Sequence, residues 1–310
     1  MNVAVGSGPD EGSNGGPDSG PDSGQTGGPI LELAGISKRF GAVQALTEVD
    51  FAVRLGEVVA LVGDNGAGKS TLIKAISGAG PADAGEISFA GERVTIAQPQ
   101  DSQALGIATV YQDLALCDNL DVVANLFLGR ESRRGAALDE VEMERLSSEL
   151  LRSLAAKIPS VRIPVASLSG GQRQTVAIAR SLIGEPKLVI LDEPTAALGV
   201  AQTAQVLDLI RRLRDRGLAV ILISHNLADV FAVADRVCVL LLGRNAGEFL
   251  TRETSQEAVV AAITGARGNS GPRATADVTT ADVAAGGVAT GGGPRGDAGS
   301  SDGDGRRDEH

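Results

Sequence analysis

The residues with the clearest chemical potential run from Gly63 to Ser70, Gly-Asp-Asn-Gly-Ala-Gly-Lys-Ser. They fit the pattern G-x-x-x-x-G-K-[ST] in the setting that pattern needs: the apolar run Glu57–Val62 precedes it and the apolar helical segment Thr71–Ile76 follows. Gly63, Gly66 and Gly68 let backbone N–H groups curl around phosphates. The helix that opens at the loop's end adds positive partial charge. Asn65 and Thr71 belong to the same binding stretch. Lys69 is expected to reach the β- and γ-phosphates of a nucleotide, and Ser70 to ligate Mg²⁺.

Two further stretches could complete such chemistry. In Leu188-Val189-Ile190-Leu191-Asp192-Glu193 an apolar strand delivers two carboxylates to its C-terminal end, which is where ligands bind in open α/β sheets. Asp192 is expected to hold Mg²⁺ through water, and Glu193 to polarise an attacking water. In Leu168-Ser169-Gly170-Gly171-Gln172 a serine and two glycines open a helix with Val176, Ala179, Leu182 and Ile183 on one side. A small, glycine-flanked helix N-terminus can approach an anion closely.

The elements that must carry these groups can be read from periodicity. Lys187–Asp192, Ala219–Ile223 and Val237–Leu242 are short apolar runs, as in strands covered on both faces. Ala201–Asp215 reads as a helix with Val206, Leu209, Ile210 and Leu213 inward, and Leu138–Lys157 as another with Met143, Leu146, Leu150 and Leu154 in one stripe. Leu31–Leu33 and Val49–Val53 alternate as strands, and Gly85–Val94 reads as two strands around a turn at Ala90–Glu92. Strands alternating with helices indicate an α/β core with a mostly parallel sheet.

Composition bounds the possibilities. The 310 residues are 43% hydrophobic but only 2% aromatic with no Trp, so aliphatic side chains must build the core. A net charge of −11 excludes a general nucleic-acid binder, which needs clustered cations. Cys117 and Cys238 are too few for a disulfide framework or a zinc site and are expected to pack as small apolar groups. No apolar run approaches the roughly 18 residues of a membrane span, and no secretory leader is visible, so work at a membrane requires a partner. Residues 1–29, which include the repeat Gly16–Gly24, and residues 266–310 are Gly-rich and poor in large apolar groups; both are expected to be disordered.

With its three motifs in this order, the sequence resembles the ATP-binding cassette (ABC) transporter ATPases, whose signature reads LSGGQ. The resemblance covers about 30–265, the length of one cassette. It implies a P-loop NTPase core with a mostly parallel sheet, an N-terminal antiparallel β subdomain, and an inserted helical subdomain over about 112–185. It also implies ATP and Mg²⁺ as ligands. In this family Ser169, Gly170, Gly171 and Gln172 of one subunit would cover the γ-phosphate held by the other. Phe40, in KRFGAV, sits where the family keeps an aromatic that stacks on adenine. Gln112, in YQDLAL, matches the loop glutamine that touches Mg²⁺ and the water. His225, in ISHN, matches the switch histidine at the γ-phosphate.

After Pro194–Leu198 many cassettes place an Asp that contacts the opposite subunit; this chain has Gly199. Simple-sugar importers often read TAALG here. Together with Tyr111–Gly129 this makes the chain look like the single-cassette fructose, xylose and ribose-type importer subunits. The resemblance thus implies an ATPase acting as a homodimer with transmembrane permease subunits and, indirectly, a sugar-binding protein, at the cytoplasmic face of the membrane. Transport of another substrate, export, or a cassette not linked to transport are the alternative readings.

Overall fold

The computed structural model describes residues 28–266. The two expected disordered tails, apart from their innermost residues, lie outside the described residues. The chain begins with long antiparallel strands β1 (Leu31–Phe40) and β2 (Val43–Val53), then β3 (Val58–Val62) and α1 (Lys69–Ser77). There follow β4 (Ala84–Phe89), β5 (Glu92–Val94), α2 (Pro99–Leu105) and β6 (Ile107–Val110). A mainly helical stretch contains α3 (Val122–Phe127), the two-residue strands β7 (Arg133–Arg134) and β8 (Ala137–Leu138), α4 (Glu140–Ser153) and α5 (Gly170–Leu182). The chain then alternates through β9 (Leu188–Asp192), α6 (Val200–Asp215), β10 (Ala219–Ile223), α7 (Leu227–Val233), β11 (Arg236–Leu241), β12 (Arg244–Leu250) and α8 (Gln256–Thr264).

Two sheets result. One is antiparallel, in the order β2-β1-β4-β5; the other is six-stranded, β12-β11-β3-β10-β9-β6, with only β12 antiparallel. The central strands are fully covered, and the period of two divides their side chains between two cores. Val58, Ala60 and Val62 of β3 face the core built with α5, α6 and the helical stretch, while Val59 and Leu61 face the core shared with α1 and the antiparallel sheet. Val189 and Leu191 of β9, and Val220 and Leu222 of β10, repeat the alternation.

The register places the site. Ile223 pairs with Leu61 on one side and Asp192 on the other, and Val110 pairs with Leu191. β3, β10, β9 and β6 therefore end together, and the segments that leave them at 63, 224, 193 and 111 emerge along one edge.

The helical stretch departs from the sequence reading in detail. α4 is shorter than Leu138–Lys157, because Asp139 caps it by accepting from the N–H of Glu142 and the chain turns after Leu154. The expected stripe holds and is wider: Met143 and Leu154 are buried, Leu146 and Leu150 are half-buried against the same core, and Ser147 and Leu151 join them as buried positions. The inward face is broad enough that Leu151 and a serine share it. Likewise β11 stops at Leu241, one residue before the predicted end, and Leu242 enters a turn.

At the opposite edge of the sheet sits one buried cation. Arg236 is 7% exposed. Its guanidinium donates twice to Glu57, at 2.8 and 3.2 Å, and also to Glu248 and to the Ala52 carbonyl at 2.8 Å. It thereby joins β11, β12, β2 and the start of β3. Removing one partner strands the other charge, so Arg236→Ala is expected to lower stability by about 3 kcal/mol in a denaturant titration, without altering turnover per folded molecule.

Candidate functional site

The phosphate loop is shaped by contacts that only glycine permits. Gly63 leaves β3 at φ +152°, and a Cβ there would lie 2.3 Å from the Leu240 carbonyl oxygen of the neighbouring β11. Gly68, at φ +104°, caps α1, and a Cβ there would lie 2.9 Å from the carbonyl oxygen of Ala45. The loop is thus threaded between β11 and β2. The Lys69 ammonium folds back over it and donates to the carbonyls of Gly63 (2.7 Å) and Asp64 (2.9 Å). The loop backbone holds the cation at the cleft wall in advance.

A cleft of about 510 Å³ opens above this loop. Asn65, Gly66, Gly68, Lys69, Ser70 and Thr71 form its floor, and Gln112, Asp192 and Glu193 its side. Asp192 ends β9 in a half-buried position. Burial, and secondarily the neighbouring Glu193 charge, push its carboxyl above the usual carboxylate range, while Lys69 opposes the shift. A site that raises a carboxyl in this way favours a cation beside it.

Glu193 is the more constrained carboxylate. Its φ is +50°, left-handed for a residue with a side chain, an outlier of order 1 kcal/mol. The conformation is held by its N–H donating to Ile223 (3.0 Å) and its carbonyl accepting from Ala196 (3.1 Å). Its Oε2 lies 2.8 Å from His225 Nδ1, yet off the line of the ring N–H, so this buried oxygen accepts no hydrogen bond from the protein. His225 itself is exposed, its side chain 74% accessible, on the segment leaving β10. Below it, buried Ser224 accepts from the N–H of Asn226 at 3.1 Å.

The remaining expected residues lie elsewhere. Phe40 ends β1, 53% exposed, with the Lys38 ammonium 5.6 Å from its ring centre. It does not line the cleft, but Val43, its partner across the hairpin, does. Ser169–Gln172 also stand apart from the cleft. Ser169 caps α5 by accepting from the Gln172 N–H at 3.3 Å, the Gln172 carboxamide oxygen accepts from the Ser169 N–H at 2.9 Å, and its Nε2 reaches the Lys157 carbonyl at 2.8 Å. This reciprocal cap fixes the helix end without a charge. Gly170 and Gly171 pack against Leu198 and Gln202, where a Cβ would have 3.0 Å of room.

Sequence reasoning missed several groups. Val43, Gln44 and Ala45 of β2, and the turn Leu242-Gly243, line the cleft; sheet order brings them there and no local motif marks them. Buried Asn125 was also missed. Its amide oxygen accepts from the Cys117 N–H at 2.7 Å and its Nδ2 donates to the carbonyls of Cys117, Leu120 and Asp121. Arg180 donates to the Leu114 and Ala115 carbonyls, both at 2.7 Å. Together they fix the segment that follows Gln112.

Gly199 caps α6 in an extended conformation, φ −73°, with open space where a Cβ would stand. Aspartate fits there and can accept the free N–H groups of the first turn. Gly199→Asp is expected to stabilise the chain by about 0.3 kcal/mol, read as a small rise in thermal midpoint.

A family model described as "ABC transporter" matches residues 46–196. The chain is 45% identical over 235 residues to the xylose/arabinose import ATP-binding protein XylG of Sulfolobus acidocaldarius, covering 76% of this chain and 94% of that one. It is 45% identical over 247 residues to the fructose import ATP-binding protein FrcA of Rhizobium meliloti, covering 77% and 95%. Among solved structures it resembles the dimeric post-hydrolysis state of the ATP-binding cassette MJ0796 bound to ADP and Pi, with a TM-score of 0.60, 26% identity, and coverage of 73% of this chain and all of that one. With a phosphate loop, an Asp–Glu strand end and an exposed histidine converging on one sheet edge, and relatives matched over nearly their whole length, the chain belongs to the ABC transporter family as an ATP-binding cassette.

Proposed function

We propose that the chain is the ATP-hydrolysing subunit of an importer for a simple sugar. The carrying observation is that Lys69, Asp192 and Glu193 line one cleft, with the Glu193 carboxylate 2.8 Å from His225 Nδ1. Loop N–H groups and Lys69 would hold the β- and γ-phosphates. Glu193 would accept a proton from a water as its oxygen bonds to the γ-phosphorus and the bond to the ADP oxygen breaks. His225 would steady Glu193 and the departing phosphate. Ser70, Gln112 and Asp192 supply an oxygen-only donor set, and Asp192 is held where a positive charge is favoured, so a divalent ion fits; it would neutralise phosphate charge. Among the described residues no cluster of three or more His, Cys, Asp or Glu side chains forms a separate metal cage, in keeping with Mg²⁺ bound mainly through substrate phosphates.

Ser169–Gln172 cannot close this cleft from where they stand, so a second copy would bring them over it. The dimeric cassette resembled above supports that arrangement. Among the described residues no helix is long and apolar enough to cross a membrane; a permease would supply the passage and, with an external binding protein, the sugar specificity. The xylose/arabinose and fructose import functions named for two relatives support a monosaccharide. Disrupting the gene and measuring uptake of labelled xylose, arabinose and fructose tests the reading. Loss of uptake of one of them is expected, with recovery by the intact gene and not by one encoding Glu193→Gln. Unchanged uptake of all three would remove the sugar assignment.

A further inference from the structure

β11 and β12 are joined by a two-residue turn, Leu242-Gly243, with φ of +48° and +75°. Both residues are left-handed, the geometry of a type I′ hairpin, which favours Asn or Asp before Gly. Leucine is a poor choice on two counts. Its side chain disfavours the left-handed region, and it stands 82% exposed, so within the chain it gains little from burial. Nothing in the fold offsets either cost.

The turn is nevertheless held firmly in one place. The Gly243 N–H donates to the Ala67 carbonyl of the phosphate loop at 3.0 Å, and its carbonyl accepts from the Thr47 N–H of β2 at 2.8 Å. A Cβ on Gly243 would lie 2.6 Å from the Ala45 carbonyl oxygen. The backbone is thus wedged between the loop and β2, and Leu242 is set at a fixed position over the cleft that both line. Val43 of β2, 65% exposed, lines the same cleft. The cleft therefore has a cationic floor at Lys69 and two unpartnered aliphatic groups at its lip. Phosphates suit the first; a nucleoside, with its flat apolar faces, suits the second.

We propose that Leu242 is a nucleoside-contacting residue, covering the base or ribose of the nucleotide whose phosphates lie on the loop, together with Val43 of the same cleft lining. The inference rests on the cleft being the ATP site. It assigns a strained, exposed leucine to binding rather than to folding.

The test is Leu242→Asn, which installs a residue suited to the turn while removing the aliphatic contact. The full-length variant, titrated calorimetrically with ATP and with inorganic tripolyphosphate, should bind ATP roughly fivefold more weakly, the loss expected for one partly buried aliphatic side chain. Tripolyphosphate affinity should not change, and the thermal midpoint without nucleotide should stay level or rise. Leu242→Met, which keeps an apolar chain, should bind ATP as the unaltered protein does; that comparison carries the test should the asparagine variant fold poorly. Unchanged ATP affinity in Leu242→Asn overturns the proposal. So does equal weakening toward ATP and tripolyphosphate, which would mean that the turn acts through the loop. Weakening confined to protein concentrations at which the chain dimerises would assign Leu242 to the second copy instead, and also overturns it. Failure of the underlying ATP assignment is distinguishable, because the unaltered chain would then not bind ATP, and the inference would fall with it.

Discussion

Glu193→Gln is expected to lower ATP turnover by about a hundredfold or more, the range for removing a positioned general base, while ATP affinity stays within about threefold, a change of under 1 kcal/mol. The amide keeps the shape and the contact distance to His225 but cannot take a proton from water. Other routes to lost turnover are closed off by the geometry. The backbone at φ +50° is as strained for glutamine as for glutamate, so the fold is not selectively penalised. Loss of the Glu193 charge relieves one of the influences that raise the Asp192 carboxyl, so the variant should melt no lower than the unaltered chain. If a second copy closes over bound ATP, arrested chemistry should leave a dimer that persists on a sizing column with ATP and dissolves without it. Turnover near normal would remove Glu193 from the reaction. Arrested turnover without an ATP-dependent dimer would keep its role and dismiss the two-copy closure.

What was readable in advance follows from where the information lies along the chain. The loop Gly63–Ser70, the run Leu188–Glu193 and the segment Ile223–His225 each combine an apolar strand with the polar groups that leave its end. Each is written in one short run of consecutive residues. Their convergence was implied once the strands were taken as parallel. The lip of the cleft was not readable: Val43 and Leu242 are far apart in sequence and come to line one cleft through sheet order and the pinning of Gly243 between Ala67 and Thr47. Nor was the Glu57–Arg236 pairing, which joins strand starts distant along the chain. Periodicity located α4 and its stripe but drew the stripe too narrow, because the inward face also takes in Ser147 and Leu151. The placement of Ser169–Gln172 away from the cleft is a property of one copy, and motif order alone holds no distance.

Lys69→Ala is expected to reduce ATP affinity by about a hundredfold, the effect of deleting one partner of a close, partly desolvated charge pair. Calorimetric titration of the full-length chain measures it. The lysine also ties down the loop by donating to the carbonyls of Gly63 and Asp64, so a skeptic could assign any loss to a loosened loop. The two effects separate in thermal melting. Those carbonyls lie on a largely solvent-facing loop, and water can replace the ammonium, so melting without nucleotide should fall by no more than about 1 kcal/mol in equivalent stability. The rise in midpoint that ATP gives the unaltered chain follows the ratio of ligand concentration to dissociation constant. At a concentration that shifts the unaltered chain clearly, it should nearly vanish in the variant. Deleting this cation also removes the one influence that lowers the Asp192 carboxyl, leaving a less ionised group beside the phosphates. An ATP titration superimposable on that of the unaltered protein would overturn the assignment of the phosphate loop, and with it the placement of Asp192 and Glu193 around a bound triphosphate.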